Sequence, residues 1–258
     1  MGRPRSSHKE VVMSYTTETP RFSETPREIN ADHMSVLFLI DSSGSMSGTA
    51  ISNAVAGING FRAFLGEDPE VRACVDVCVM QFDDSVRLVQ DWVPVMDMQP
   101  VSISAGGCTA LYDGVNAAID KIRERSRTYA SLGVTERKPY LVILSDGHDN
   151  ASSYGRAAAV ELVANRINGG KLKLFFLGYE DYDRTVAAEL TSAGGTKRAV
   201  AFEVTGPAAP FKDFFDFVAN STKAASTSAP GANLVVPTII GTNLSPVKPV
   251  DLSGWLND

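Results

Sequence analysis

Two aspartates and three hydroxyl side chains stand in three short glycine-containing motifs. Asp41, Ser43 and Ser45 alternate in the first motif, Thr109 lies in the second, and Asp146 lies in the third. All five side chains carry hard oxygen atoms, which are the ligands that Mg²⁺ and Ca²⁺ prefer. Two carboxylates balance the charge of a divalent cation, and neutral hydroxyls leave it electrophilic. The set predicts a site for Mg²⁺, or else Mn²⁺ or Ca²⁺, that favours an acidic ligand from another molecule.

The segments around these motifs predict where they meet. Residues 34–40 and 140–144 are short continuous apolar runs, typical of strands buried on both faces of a parallel sheet. Asp41 and Asp146 follow these strands, whereas Thr109 lies where residues 106–109 open a helix. Ligands of open α/β sheets bind beyond the carboxyl ends of the strands, where the strand order reverses. We therefore expect the three motifs to converge at one edge of the sheet.

The rest of the chain predicts an α/β fold. Apolar stripes predict helices at about 49–65, 109–122, 156–168, 182–192 and 208–220. Runs of β-prone residues predict a hairpin formed by 71–82 and 86–93, and two further strands at 172–177 and 199–204. This alternation is typical of a Rossmann-like, doubly wound, mostly parallel sheet with helices on both faces and one antiparallel strand.

The predicted domain occupies residues 33–220, between a flexible arm at 1–32 and a tail at 221–258 that is rich in Ser, Thr, Pro, Ala and Gly. The composition of the tail is typical of disorder. Its apolar clusters equally fit a segment that docks on its own domain or on a partner, so both interpretations stay open.

Composition limits the classes of partner. The chain has 258 residues and a net charge of −6, so nucleic acid is not expected as a partner, because binding phosphates requires clustered Lys and Arg. Three cysteines are too few for a disulfide framework. No segment has the length and apolarity of a membrane span, and the first residues lack the apolar core of a secretion signal. We expect a cytoplasmic protein, and the oligomeric state stays open.

The three motifs resemble the metal-ion-dependent adhesion site of von Willebrand factor type A domains. The resemblance covers about residues 34–220 and is carried, in family order and with family-like spacing, by Asp41-x-Ser43-x-Ser45, Gly107-Cys108-Thr109-Ala110-Leu111 and Leu144-Ser145-Asp146-Gly147. Cys108 stands where the family often has Gly. A stand-alone domain of this kind is similar to bacterial tellurite-resistance-associated proteins, which implies a role in a stress-response complex.

The resemblance also implies roles for the five residues. Ser43, Ser45 and Thr109 are expected to contact the ion directly or nearly so. Asp41 and Asp146 often act through water in the family. An Asp or Glu of a partner commonly completes the octahedron.

Three other interpretations compete with this one. Each hydroxyl alone could serve as a helix N-cap. A Mg²⁺-dependent phosphohydrolase of the haloacid-dehalogenase kind also has an Asp after its first strand, but it needs an acid two residues later, where this chain has Ser43. A structural scaffold whose tail makes the contacts is the third. We predict a binding module that is not an enzyme, with Asp83, Asp84, Asp113 and Asp149 as turn or helix-surface acids and His148 as an exposed turn residue.

Overall fold

The computed structural model describes residues 26–179, 181–192, 198–204 and 211–228, together with the backbone of 244–246. The strands are β1 (His33–Asp41), β2 (Val75–Phe82), β3 (Val86–Pro94), β4 (Glu136–Ser145), β5 (Lys173–Tyr179), β6 (Ala199–Val204) and β7 (Leu244–Pro246). The helices are α1 (Thr49–Gly66), α2 (Leu111–Leu132), α3 (Arg156–Asn168), α4 (Arg184–Ser192) and α5 (Lys212–Thr227), and a short 3-10 helix lies at Gly44–Met46.

One sheet runs through the protein with the strand order β3-β2-β1-β4-β5-β6-β7. The five strands β1, β2, β4, β5 and β6 pair in parallel, and β3 pairs antiparallel with β2 through the predicted hairpin. The predicted α/β fold with a mostly parallel sheet is therefore confirmed. The chain passes from β1 to β2 on one side, whereas β4 pairs on the other side of β1. This reversal of strand order places a crevice at the carboxyl ends of β1 and β4.

Helices cover both faces of the sheet. On one face, α1 and α5 pack over a core in which the Phe38 ring centre lies 4.9 Å from that of Phe61 and 5.8 Å from that of Phe215. On the other face, α2, α3 and α4 cover the alternate strand residues, such as Leu37. Successive side chains of a strand point to opposite faces, so β1 contributes to both cores. Its carboxyl end is thereby fixed in the middle of the sheet.

Several element boundaries differ from the sequence expectation; helix α2, for example, continues to Leu132, beyond the predicted end at about residue 122. Strand β2 begins at Val75 rather than at residue 71, because the N–H of Val75 bonds to the Val71 carbonyl in a turn. Helix α5 continues past residue 220 to Thr227. Ser221 and Thr222 are buried, and the Thr222 hydroxyl donates to the Val218 carbonyl at 2.8 Å. Hydroxyls that bond within their own helix can face a core, so the polar composition concealed a buried helical turn.

A second antiparallel strand, β7, lies at the opposite edge of the sheet from β3. Its three residues pair with Val204, Glu203 and Phe202 of β6. This piece of the predicted tail therefore docks on its own domain. The rest of the tail after residue 228, and the arm before residue 26, lie outside the described residues. None of the described helices is long and apolar enough to cross a membrane.

A buried charged network lies at the amino ends of β1 and β2, far from the crevice. Asp76 Oδ2 accepts hydrogen bonds from Arg125 Nη2 and the Tyr129 hydroxyl, both at 2.5 Å, and His33 Nδ1 lies 3.4 Å away. Burial raises the pKa of Asp76, but the His33 hydrogen bond and the Arg125 charge outweigh it and hold the pKa below the usual 3.8. The network therefore stabilises the fold while Asp76 is ionised, and this stabilisation is lost in stronger acid.

Replacing Arg125 with methionine is expected to lower the free energy of unfolding by about 3–5 kcal/mol, because Asp76 then stays buried without its guanidinium partner. Arg123 on the same helix is the control, since its ion pair with Asp120 is solvent-exposed. Arg123→Met should cost less than about 1 kcal/mol. Urea denaturation at neutral pH measures both variants, and equal losses would contradict a special role for the buried network.

Candidate metal centre

The Asp41 carboxylate is the innermost acid of the crevice. It ends β1 and is completely buried. Its Oδ1 accepts a hydrogen bond from the Ser43 backbone N–H at 2.9 Å, and its Oδ2 accepts one from the Ser145 hydroxyl at 2.6 Å. The first bond holds the turn that follows β1, and the second ties β1 to the end of β4.

The hydroxyls of the first motif link Asp41 to the second acid. Ser43 Oγ and Ser45 Oγ lie 3.0 Å apart, and the Ser45 hydroxyl donates a short hydrogen bond to Asp146 Oδ2. Asp146 directly follows Ser145, whose hydroxyl bonds to Asp41. Four of the five predicted residues therefore form one continuous cluster at the carboxyl ends of two adjacent strands.

Thr109, the fifth residue, reaches this cluster through backbone contacts. The Gly44 N–H donates to the Gly107 carbonyl at 3.0 Å, and the Gly106 N–H donates to the Ser42 carbonyl at 2.7 Å. These bonds hold the Thr109 loop against the Asp41 loop, and Thr109 is only 3 % exposed. Among the described hydrogen bonds, none joins its hydroxyl to the other four residues.

Burial raises the pKa of Asp41 from 3.8 to about 6, and the nearby negative charge of Asp146 adds to the increase. Hydrogen bonds from Ser145 and Ser43 act in the opposite direction and keep the pKa from rising further. At neutral pH Asp41 is thus ionised at a free-energy cost that two hydrogen bonds only partly offset.

This donor set fits a hard divalent cation. No group of three or more Asp, Glu, His or Cys side chains in the described parts of the chain could hold a metal. A site here therefore depends on two carboxylates combined with serine and threonine hydroxyls, a set of oxygens that suits Mg²⁺ or Mn²⁺ better than softer metals. A cation would also offset the repulsion that Asp146 exerts on Asp41.

Helix capping does not account for the three hydroxyls. The 3-10 helix follows Ser43, whose side chain makes no capping hydrogen bond. Helix α1 is preceded by Gly48 and α2 by Ala110, neither of which caps through a side chain. The capping interpretation of Ser43, Ser45 and Thr109 is therefore wrong for these helices.

The first turn of α2 is capped instead by residues that follow Asp146. Asp149 Oδ1 accepts a hydrogen bond from the Leu111 N–H, and the Ser152 hydroxyl oxygen accepts one from the Tyr112 N–H, both at 2.9 Å. The loop after β4 thus supplies the acceptors that the start of α2 lacks in its own sequence.

The same two segments bond in the reverse direction. Asp113 of α2 accepts hydrogen bonds from the N–H groups of residues 153 and 154 at 2.9 and 2.6 Å. Asn150 Oδ1 accepts one from the Thr109 N–H at 2.8 Å, and the Asn150 N–H donates to the Thr109 carbonyl at 2.9 Å. We call these reciprocal contacts between residues 149–154 and residues 109–113 the clasp. It ties the Thr109 loop to the Asp146 loop.

Sequence reasoning missed the clasp, because it interpreted Asp113 and Asp149 only as surface or turn acids. Two signals could have indicated it. The sequence Asp149-Asn150-Ala151-Ser152 is rich in capping residues, and Ala110 before α2 cannot cap through its side chain.

The Asp146 loop is also held from its other side. The Asp146 carbonyl accepts a hydrogen bond from the Asp183 N–H at 2.7 Å, and His148 Nε2 lies 2.7 Å from the Asp181 carbonyl. Gly147 between them has a φ of 76°, a conformation that favours glycine. His148 is exposed, as predicted, and it contacts the loop between β5 and α4.

Asp41→Asn removes the buried charge and keeps the shape of the side chain. At neutral pH in chelator we expect the variant to be more stable than the wild type by on the order of 3 kcal/mol, because a pKa raised from 3.8 to about 6 means that ionised Asp41 destabilises the metal-free fold. The advantage should shrink as pH falls from about 6 to below 3.8, where Asp41 is neutral in both states. Denaturant titrations over this range measure it, with Asp120→Asn on α2 as control. A constant difference at every pH would show that another effect dominates.

Asn150→Ala removes one side chain of the clasp that is not among the five predicted ligands. We expect Mg²⁺ affinity to fall about tenfold, a typical loss when a group that orients a ligand is removed. Asn150→Asp, which keeps an acceptor for the Thr109 N–H, should restore much of it. Calorimetric Mg²⁺ titration is the measurement, and Asn165→Ala, at an exposed position of α3, is the control. Lower thermal stability with unchanged Mg²⁺ affinity would instead indicate a purely structural clasp.

Comparison with solved structures supports the fold. The chain is 16% identical to a von Willebrand factor type A protein from Catenulispora acidiphila, covering 75% of this chain and 43% of that one, with a TM-score of 0.52. The chain is 12% identical to the vWF domain of the type V pili tip protein Mfa5 from Porphyromonas gingivalis. That match covers 77% of this chain and 98% of that one, with a TM-score of 0.55. The chain is also 12% identical to the pilus adhesin SpaC from Lactobacillus rhamnosus GG in its open conformation. That match covers 76% of this chain and 31% of that one, with a TM-score of 0.59. The chain thus spans less than half of the first and third relatives.

Comparison with curated protein sequences gives no match. The family model of the von Willebrand factor type A domain, however, matches residues 35–216, which include all five predicted site residues. This range begins in β1 and ends in α5, so it contains nearly the whole described sheet. The chain belongs to the von Willebrand factor type A domain family.

Proposed function

We propose that this protein is a metal-dependent protein-binding module. Asp41, Ser43, Ser45, Thr109 and Asp146 would hold a divalent cation, with Mg²⁺ preferred over Mn²⁺ and Ca²⁺. The partner would supply an Asp or Glu to the cation. Domains of this family often serve in protein–protein adhesion and interaction, and many bind a divalent metal. A stress-response complex of the tellurite-resistance type remains the proposed setting.

The observation that carries the proposal is the continuous oxygen cluster at the point where the strand order reverses. Two acids from neighbouring strands lie within a chain of hydrogen bonds that runs through Ser45, Ser43 and Ser145. Burial is the main cause of the raised Asp41 pKa, and the nearby negative charge of Asp146 adds to the increase. Such an arrangement is costly for the fold alone and is favourable when a cation is bound.

The side chains have separate tasks in this proposal. Asp41 is buried, holds the turn after β1 and would supply one negative charge to the cation. Ser43, Ser45 and Thr109 supply neutral oxygens, and Asp146 supplies the second negative charge. A bound divalent cation supplies an electrophilic position that accepts a carboxylate. Since the protein contributes only two charges, a third from the partner remains favourable.

The surroundings of Asp41 argue against the phosphohydrolase alternative. A nucleophilic carboxylate needs an oxygen that can reach a substrate, whereas both Asp41 oxygens accept hydrogen bonds inside the protein and the side chain is fully buried. Residue 43 is a serine, whose hydroxyl cannot act as a general acid–base at neutral pH. Hydrolysis of an aryl phosphate with Mg²⁺ that Asp41→Asn abolishes would overturn the binding-only proposal.

The scaffold alternative is distinguished by removing the tail. The deletion must begin after Ser228, because α5 continues to Thr227 and Arg137 bonds to the Ser228 carbonyl. If partner capture survives this deletion but is lost in Asp41→Ala, the metal face is the binding face. The opposite pattern would favour the scaffold.

Mg²⁺ is expected to raise the melting temperature of the wild type, because a ligand that binds only the folded state stabilises it by about 2.7 kcal/mol at a hundred times its dissociation constant. Thr109→Ala should remove most of this shift and leave the melting temperature in chelator within a few degrees of the wild type. Thr128→Ala, farther along α2, is the matched control. Differential scanning calorimetry with Mg²⁺ and with chelator measures these shifts. A wild type that Mg²⁺ does not stabilise contradicts the proposed site.

A further inference from the structure

We infer that a groove of mixed polar and apolar lining beside the metal loops forms a second part of the partner-binding surface and holds an extended peptide segment of the partner. The inference rests on the proposed function, because the acid of the same segment would bind the cation. The β3 groove, as we name it, is a cavity of about 440 Å³ lined by Gln81, by residues 87–90 of β3, and by residues 99–102 and Ser104.

The groove runs along the edge of the sheet. Consecutive residues of a strand point to opposite faces, so four in a row can line one cavity only along the edge of the strand. In the described part of the chain, β3 is the last strand on its side of the sheet, and its other edge pairs with β2. Across the cavity, Val101 and Ile103 are buried while Ser102 and Ser104 are exposed, the alternation of an extended segment. The two walls thus resemble neighbouring strands with space between them.

The lining suits a peptide backbone. It combines the amides of Gln81, Gln90 and Gln99 with the hydroxyls of Ser102 and Ser104, all neutral groups that can both donate and accept hydrogen bonds. None of the described residues that line the cavity is aromatic, so this lining offers no flat ring of the kind on which sugars commonly stack.

Charge in the groove is largely balanced. Among the described residues that line it, Arg87 is the one with a charged side chain. Its guanidinium forms a short ion pair with Asp83 and donates to the Ser85 hydroxyl at 3.2 Å. A neutral, extended main chain therefore suits the groove better than a highly charged ligand.

The groove is continuous with the metal loops. The Gln81 side-chain amide lies 3.3 Å from the Ser42 hydroxyl, and Ser42 stands between Asp41 and Ser43. The Ser42 carbonyl in turn accepts the Gly106 N–H at 2.7 Å, two residues after Ser104. Both walls of the groove therefore reach the loop that carries Asp41.

The dimensions limit the occupant. Residues 87–90 span about 10 Å at the rise of a strand, which corresponds to three or four extended residues. A volume of about 440 Å³ lies within the usual range for small-ligand sites. The occupant is thus a short linear segment with an Asp or Glu at one end and three or four further residues along β3.

The test uses a phage-displayed library of short linear peptides, bound to the full-length protein in Mg²⁺ and eluted with chelator. Recovered peptides should contain an Asp or Glu, and their synthetic forms should bind Ser102→Trp at least about tenfold more weakly, a loss of about 1.4 kcal/mol. The indole fills the groove from an exposed position. Trimming the peptide beyond its acid should weaken binding to the wild type and leave binding to Ser102→Trp unchanged.

Ser131→Trp, at an exposed position near the end of α2, is the matched control and should bind like the wild type. If Ser102→Trp fails to fold, Ser104→Trp is the second variant that fills the groove. Mg²⁺ affinity should be unchanged in Ser102→Trp, Ser104→Trp and Ser131→Trp. Unchanged peptide affinity in both groove variants overturns the groove and leaves the proposed function intact. Absence of Mg²⁺ binding by the wild type overturns both. If saccharides rather than peptides bind with Mg²⁺ and are blocked by Ser102→Trp, the partner class is wrong.

Discussion

A carboxylate at the end of a fully buried central strand must find its hydrogen bonds inside the protein, because burial without them costs several kcal/mol. Asp41 obtains them from the Ser43 N–H and the Ser145 hydroxyl, so the turn after β1 and the end of β4 are both built around it. Its pKa still rises to about 6, mainly through burial. The fold therefore bears a cost that a cation would relieve, and the features that favour metal binding are those that destabilise the metal-free domain.

The sequence predicts that Asp41 and Asp146 lie close together, because local pattern and topology coincide there. The apolar runs that form β1 and β4 are recognisable because both faces are buried, and parallel strands end at the same edge, so Asp41 and Asp146 had to meet. The position of Thr109 is harder to predict from the sequence, since it depends on which loop packs beside it. The clasp was not predictable from periodicity, because residues such as Asp149 and Asn150 look like those of any turn until the helix that they cap is known.

Elsewhere the sequence misleads for similar reasons. Ser221 and Thr222 suggested a tail, yet both are buried in α5. The Thr222 hydroxyl bonds to the Val218 carbonyl of its own helix, which lets this polar side chain face the core at little cost. The buried network joins Asp76 to residues 33, 125 and 129, which come from one neighbouring strand and one helix. Polar residues whose partners lie far away in sequence carry no periodic signal, so composition assigns them to the surface.

The three loops act as one unit because each is bonded to another. The clasp joins the Thr109 and Asp146 loops, the Gly44–Gly107 bond joins the Thr109 and Asp41 loops, and Gln81 contacts the Asp41 loop from the groove. A ligand that orders one of these contacts therefore changes the free energy of the others. Such coupling is reciprocal, so a peptide in the β3 groove that tightens the Asp41 loop must raise the affinity for the cation by the same factor by which the cation raises the affinity for the peptide.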